Sequence, residues 1–191
     1  MKKIFLDCGY HLGEGLTEFT QILGIDSEWD IYAFEANPRC EIHKKIGQHL
    51  PLMVNSYEKA VWINNQKLVF NCEDQEASNS PRQNSTHKND GWGSTLQAVE
   101  STHSFGEQIE VEAIDFSQFV SELPQVEIYC KMDIEGAEFA VLRKMIEDET
   151  IKKIKKIWIE WHEVDLQSEN SITAEELRKQ LSKYTEIINW K

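Results

Sequence analysis

Along most of this chain, short apolar runs of strand length alternate with stretches whose apolar residues recur at helical spacing. Ile4 to Asp7 is a continuous run ending in an acid and a glycine turn; Leu12, Leu16, Phe19 and Leu23 then fall on one face of a helix. Ile31 to Phe34 is a second run ending at Glu35, and Pro38 suits the first turn of a helix. Ala60 to Ile63 and Leu68 to Phe70 flank Asn64-Asn65-Gln66, the pattern of a hairpin. The stretch from Glu73 to Gly93 is rich in Ser, Asn and Gln, too polar for a core, and predicts a mobile loop or flap. Ile109 to Ile114 alternates apolar and acidic residues, a strand with one face exposed. Phe116, Phe119 and Val120 predict a short helix ending before Pro124. Val126 to Met132 predicts a strand, Gly136 to Ile146 a helix, and Ile157 to Trp161 another strand. Thr173 and Glu176 form a capping box for a helix carrying Leu177, Leu181 and Tyr184, and Thr185 to Trp190 is a last strand.

This alternation argues for one α/β domain over residues 1–191: a doubly wound, mostly parallel sheet with helices on both faces. The formal charge of -13 repels phosphate backbones, which argues against a nucleic-acid partner. The Lys152, Lys153, Lys155, Lys156 cluster alternates with isoleucines and reads as a solvated element end. Cys8, Cys40, Cys72 and Cys130 form no CxxC pair and suit buried free thiols in a reducing compartment. No signal peptide or membrane-length apolar run is present, so a cytoplasmic protein without a membrane partner is expected.

In such sheets ligands bind at the carboxyl ends of the strands, near the topological switch point. The first strand end reads Asp7-Cys8-Gly9-Tyr10-His11-Leu12-Gly13-Glu14-Gly15, and Glu35 ends the second strand 22 residues after Gly13. Glycines let the backbone approach a ligand, and an ionised acid can accept from both hydroxyls of a ribose. Together they indicate a nucleoside-type cofactor. The glycine spacing is not GxGxxG, and Asp7 would sit badly beside phosphates but well beside an ammonium and a sulfonium. That favours S-adenosylmethionine over a nicotinamide dinucleotide.

A second marked segment is Lys131-Met132-Asp133-Ile134-Glu135-Gly136-Ala137-Glu138. Asp133 ends a buried strand beside the expected cleft and is the candidate at the chemistry. Glu138 reads as a solvent-facing or capping acid in the first helical turn. Glu160 and His162 end the following strand, and a neutral His162 could take a proton from an alcohol; a structural histidine bonded to an acid is the alternative. His11, in the glycine loop, is a weaker candidate for such a role, and His43, His49, His87 and His103 read as surface residues.

These residues resemble the FkbM family of S-adenosylmethionine-dependent methyltransferases. Lys131 to Glu138, followed by Val141-Leu142, looks like the family's Lys-x-Asp-x-Glu-Gly-x-Glu signature. Asp7-x-Gly9 with Gly13, and Glu35 before Asn37-Pro38, are similar to its cofactor motifs. Gly93-Ser94-Thr95-Leu96 looks like its Gly-Ser-Ser loop, and Ala113-Ile114-Asp115 like the segment before its next helix. The resemblance implies a Rossmann-like class I methyltransferase fold and O-methylation of a hydroxyl on a small molecule or glycan. The residues expected to hold the donor are Asp7, Gly9, His11, Gly13, Glu35, Ala36, Asn37, Ala60 and Asp133. Asp133 lies at the chemistry, with His162 or Glu160 as proton acceptor. A divalent cation such as Mg²⁺ on Asp133, Glu160 and His162 is an alternative, but no metal is predicted.

Two departures from the family stand out. His11 occupies a position where the family usually has Asn. The chain also ends soon after its sixth core strand, so the antiparallel seventh strand that normally ends this fold is absent, or the Ile187 to Trp190 run stands in for it. A dimer would cover such an edge, so a monomer or homodimer is expected. The rival reading is a short-chain dehydrogenase, on the Gly9, Gly13, Gly15 spacing, but no tyrosine has a lysine four residues on. A second rival is a non-catalytic cofactor-binding module. Specificity is expected in the 73–93 loop and at Trp92 and Trp161.

Overall fold

The computed structural model describes residues 2–40, 52–73, 95–96, 105–162 and 173–190. Its main sheet has six strands, all parallel: β1 (Lys3–Cys8), β2 (Trp29–Phe34), β3 (Val54–Tyr57), β8 (Glu127–Met132), β9 (Ile154–Ile159) and β10 (Glu186–Asn189). Their order is β10-β9-β8-β1-β2-β3. The chain runs outward from β1 to β3, then returns to lay β8 against the other side of β1. That reversal between β1 and β8 is the switch point where a crevice opens at the strand tips.

Alternation along these strands sorts side chains onto two faces. Phe5, Ile31, Ala33 and Trp158 point to one face, where α1 (Glu14–Leu23) adds Leu16 and Phe19. The Phe19 ring meets Trp158 edge-on at 4.9 Å, and burying a ring of this size adds about 1.5–3 kcal/mol. Ile4, Leu6, Ile128, Cys130, Ile157 and Ile159 point to the other face. Among the described residues, α2 (Phe116–Glu122), α3 (Glu138–Glu147) and α4 (Ala174–Leu181) cover it. Helices thus lie on both faces of a mostly parallel sheet, as the pattern predicts. The Thr173–Glu176 capping box is formed on α4, and Asp115 caps α2 by accepting from Gln118 N–H at 2.9 Å.

A second sheet, ordered β4-β7-β5-β6, corrects the hairpin expectation. β4 (Ala60–Trp62) and β5 (Gln66–Glu73) are not paired with each other. β7 (Phe105–Asp115) lies between them, parallel to β4 and antiparallel to β5. Eight-residue β5 finds a longer partner in eleven-residue β7 than three-residue β4 can offer. β6 (Thr95–Leu96) pairs with β5 at the far edge. β3 carries too little apolar alternation to be visible in the sequence. β10 pairs directly with β9 in parallel, so no antiparallel strand lies between them. Apart from Glu73, which ends β5, the 73–93 stretch lies outside the described residues, as do Trp92, Gly93, Ser94, His43, His49, His87 and His103.

Candidate active site

At the tip of β1 the chain must turn beside two other strand ends. Gly9 adopts φ +78°, and a Cβ there would fall on the Asp133 carbonyl oxygen, so only glycine fits between the β1 and β8 tips. Gly9 and Tyr10 donate backbone N–H bonds to Phe34 O at 3.0 and 2.9 Å, tying this turn to β2. Gly13 (φ +93°) caps α1, and a Cβ there would strike the Tyr10 ring.

Glu35 follows directly on β2. One of its oxygens accepts from His11 N–H and the other from Asn37 N–H, both at 2.7 Å. His11 reaches that position through a left-handed backbone (φ 52°), a conformation that Asn, the family's usual residue there, also tolerates. The carboxylate is therefore fixed in direction, with acceptor capacity left on both oxygens. Burial raises its pKa, against the pull of the two amides.

Beneath this turn lies a buried charge set. Asp7 is fully enclosed, and Lys131 Nζ stands 3.4 Å from both Asp7 and Asp133. Lys131 also donates to the Gly9 carbonyl and lies over the Trp190 ring at 4.8 Å. Burial raises the Asp7 carboxyl to about 6 even with Lys131 pulling it down. Burial would lower the Lys131 pKa, but Asp7 and Asp133 outweigh it and hold the ammonium charged.

The other end of the cleft gathers acids around one imidazole. His162 Nε2 lies 3.4 Å from Glu135, 3.8 Å from Asp133 and 3.9 Å from Glu160. Its Nδ1 is 3.3 Å from Glu138, which also accepts from His162 N–H at 2.7 Å. Burial disfavours the charged ring, but the Glu138 contact and the charges of Glu135, Glu138 and Asp133 prevail and raise it to about 9. These acids favour the protonated ring, and they make His162 a histidine bound to neighbouring acids, the alternative reading of the sequence. Glu138 is fully buried rather than solvent-facing, and it does not cap the helix: its second oxygen accepts from Gly136 N–H, ahead of the N-cap residue Ala137, at 2.8 Å. Burial raises Glu135 to about 7, with His162 opposing and three neighbouring acids adding to the rise.

The cleft at the switch point is lined by Gly9, His11, Glu35, Ala36, Ala60, Asp133 and Glu160 from the expected set. Lys131 forms part of its floor, and Val61, Phe70 and Leu96 of the second sheet make an apolar wall. Asp7, Gly13 and Asn37 do not line it; they shape it from beneath. Asp133, Glu135 and Glu160 line the cleft, and His162, which contacts all three, does not. Trp161 packs against Phe139 and lies under Arg178, away from the lining. Sequence reasoning gave no role to Lys131 or Glu135, although both sit in the quoted signature, where a lysine inside a strand-length apolar run was the available signal. Ligand atoms of Asp133, Glu135 and His162 lie within 4.8 Å of one another.

Five acids (Glu14, Glu35, Asp133, Glu135, Glu160) and two lysines (Lys59, Lys131) line this cleft at the strand tips of a doubly wound sheet. Acids thus outnumber lysines in the lining. The chain belongs to the FkbM methyltransferase family: the model of the methyltransferase FkbM domain matches residues 7–188. That membership removes the dehydrogenase reading. No curated protein and no solved structure matches the chain. Among the described residues, no helix is long and apolar enough to cross a membrane.

Proposed function

We propose that this methyltransferase takes its methyl group from S-adenosylmethionine and transfers it to a hydroxyl oxygen of a small molecule or glycan. One observation carries the reading. Glu35 is an immobilised carboxylate at the switch-point cleft, and its remaining acceptor positions suit the two hydroxyls of a ribose. Gly9, His11, Ala36 and Ala60 would surround the nucleoside, and Asp133 would stand at the reacting end. The acid excess favours a sulfonium and an ammonium over a pyrophosphate. The donor, when bound, supplies an electrophilic methyl carbon. The chain's own task is to hold the acceptor oxygen about 3 Å from that carbon and to remove its proton.

The same properties suit a cytoplasmic monomer or homodimer with no nucleic-acid or membrane partner: four buried free cysteines and a charge of -13. Calorimetry with S-adenosylmethionine, followed by tritiated-methyl transfer into the small-molecule and glycan fractions of an extract, tests the reading. Saturable donor binding and label that resists mild alkali, as an ether does, are expected. Failure to bind the donor would reject it. Donor binding without transfer into any fraction would make the chain a non-catalytic cofactor-binding module.

A further inference from the structure

The geometry points to Glu135 as the group that takes the acceptor's proton, with His162 and Glu138 as the positioning residues that hold it. This rests on the methyl-transfer reading above and names the base within it.

Three carboxylates reach the cleft at this end, and their surroundings distinguish them. Asp133 is engaged from below by the Lys131 ammonium at 3.4 Å. Glu160 is the acid farthest from the imidazole, at 3.9 Å. Glu135 is the nearest to His162 Nε2, at 3.4 Å, and it lines the cleft. The ring behind it is fixed by fully buried Glu138, which contacts both Nδ1 and the backbone N–H of His162.

The backbone gives an independent argument. Glu135 holds φ 53°, the left-handed region that a residue with a side chain occupies only when its surroundings impose it. Two side chains impose it here. Thr95 Oγ donates to the Glu135 carbonyl at 2.7 Å, and Glu138 accepts from the next N–H, that of Gly136, at 2.8 Å. Glycine would fit this turn without strain, so the turn alone does not require a carboxylate.

In the reaction the hydroxyl proton moves to a Glu135 oxygen while the alcohol oxygen bonds to the donor's methyl carbon. The carbon–sulfur bond breaks, and its electron pair stays on sulfur. The products are a methyl ether, a neutral thioether and protonated Glu135, which returns its proton to solvent. Among the described residues, His162, Asp133, Glu160 and Glu138 act on the charge of Glu135.

Glu135→Gln tests the assignment with two readouts: S-adenosylmethionine affinity by calorimetry, and tritiated-methyl transfer into the extract fraction that the wild-type protein labels. Donor affinity within threefold of wild type, with turnover lower by on the order of 10²–10⁴-fold, is expected. Glu135→Gly, which keeps the left-handed turn, should lose turnover alike and regain about tenfold with added formate as a surrogate base. His162→Gln should move the rising limb of the kcat/KM profile to higher pH, because a cation beside Glu135 is gone. Turnover within fivefold of wild type in both Glu135 variants would overturn the inference. So would loss of wild-type turnover to a chelator with recovery on Mg²⁺, which would make Glu135 a metal ligand. Wild-type protein that does not bind the donor would instead defeat the methyl-transfer reading itself.

Discussion

The two ends of the cleft use the same residue type in opposite ways. At one end each oxygen of Glu35 is held by a backbone amide, whose charge does not change. At the other, Asp133, Glu135, Glu138 and Glu160 surround a single imidazole, and their interactions depend on which of them carries a proton. Amide donors make a carboxylate a fixed acceptor, fit for recognising hydroxyls. Crowded acids around a titratable ring make a site where a proton can be gained and lost near neutral pH. Binding and chemistry are thus separated along one crevice by what surrounds the acids rather than by which acids are present.

Substitutions at the two ends should therefore fail differently. Besides the Glu135 variants, the largest effect is expected from Asp133→Asn, which should leave donor affinity within a few-fold by calorimetry and lower methyl transfer on the order of 10²-fold or more. Full activity would remove Asp133 from the reacting end. Glu35→Ala should weaken S-adenosylmethionine binding by about 10²-fold, the loss of two hydrogen bonds to a charged acceptor. Unchanged affinity would abolish the contrast drawn above.

A smaller effect concerns stability. An acid whose folded pKa lies above its unfolded value destabilises the fold when it ionises; for Glu135 that penalty is absent below about 4.5 and complete above about 7. Glu135→Gln should therefore raise stability at pH 8 by roughly 1–2 kcal/mol and leave it unchanged at pH 4, measured by urea unfolding. Equal effects at both pH values would show that ionisation is not the cause. The smallest change is expected for Asp7→Asn, because Lys131 already neutralises this buried acid: donor affinity should stay within about fivefold. A large loss would return Asp7 to a direct contact with the donor's cation.

Much of the scaffold was legible in the chain. β1, β2, β8, β9 and β10 are short apolar runs, and α1, α3 and α4 carry apolar stripes at helical spacing, so periodicity locates them. The Glu35 position followed from its place after a strand. The pairing of β7 between β4 and β5 was not legible, because it joins segments some forty residues apart and the intervening Asn-Asn-Gln imitates a local turn. The fate of Asp7 was hidden for a related reason. Whether an acid at a strand tip faces ligand or a buried lysine depends on the neighbouring strand, here Lys131 in register with Asp7. His162 was found, but not the acids gathered around it, which arrive from two segments.

The placement of β7 also bears on how the chain is made. Synthesis proceeds from the N-terminus, so β4 and β5 leave the ribosome about forty residues before the strand that joins them. During that interval both sides of β5 carry open backbone groups and apolar side chains such as Phe70. Such a segment is prone to wrong pairing with other nascent chains until β7 follows it out of the ribosome.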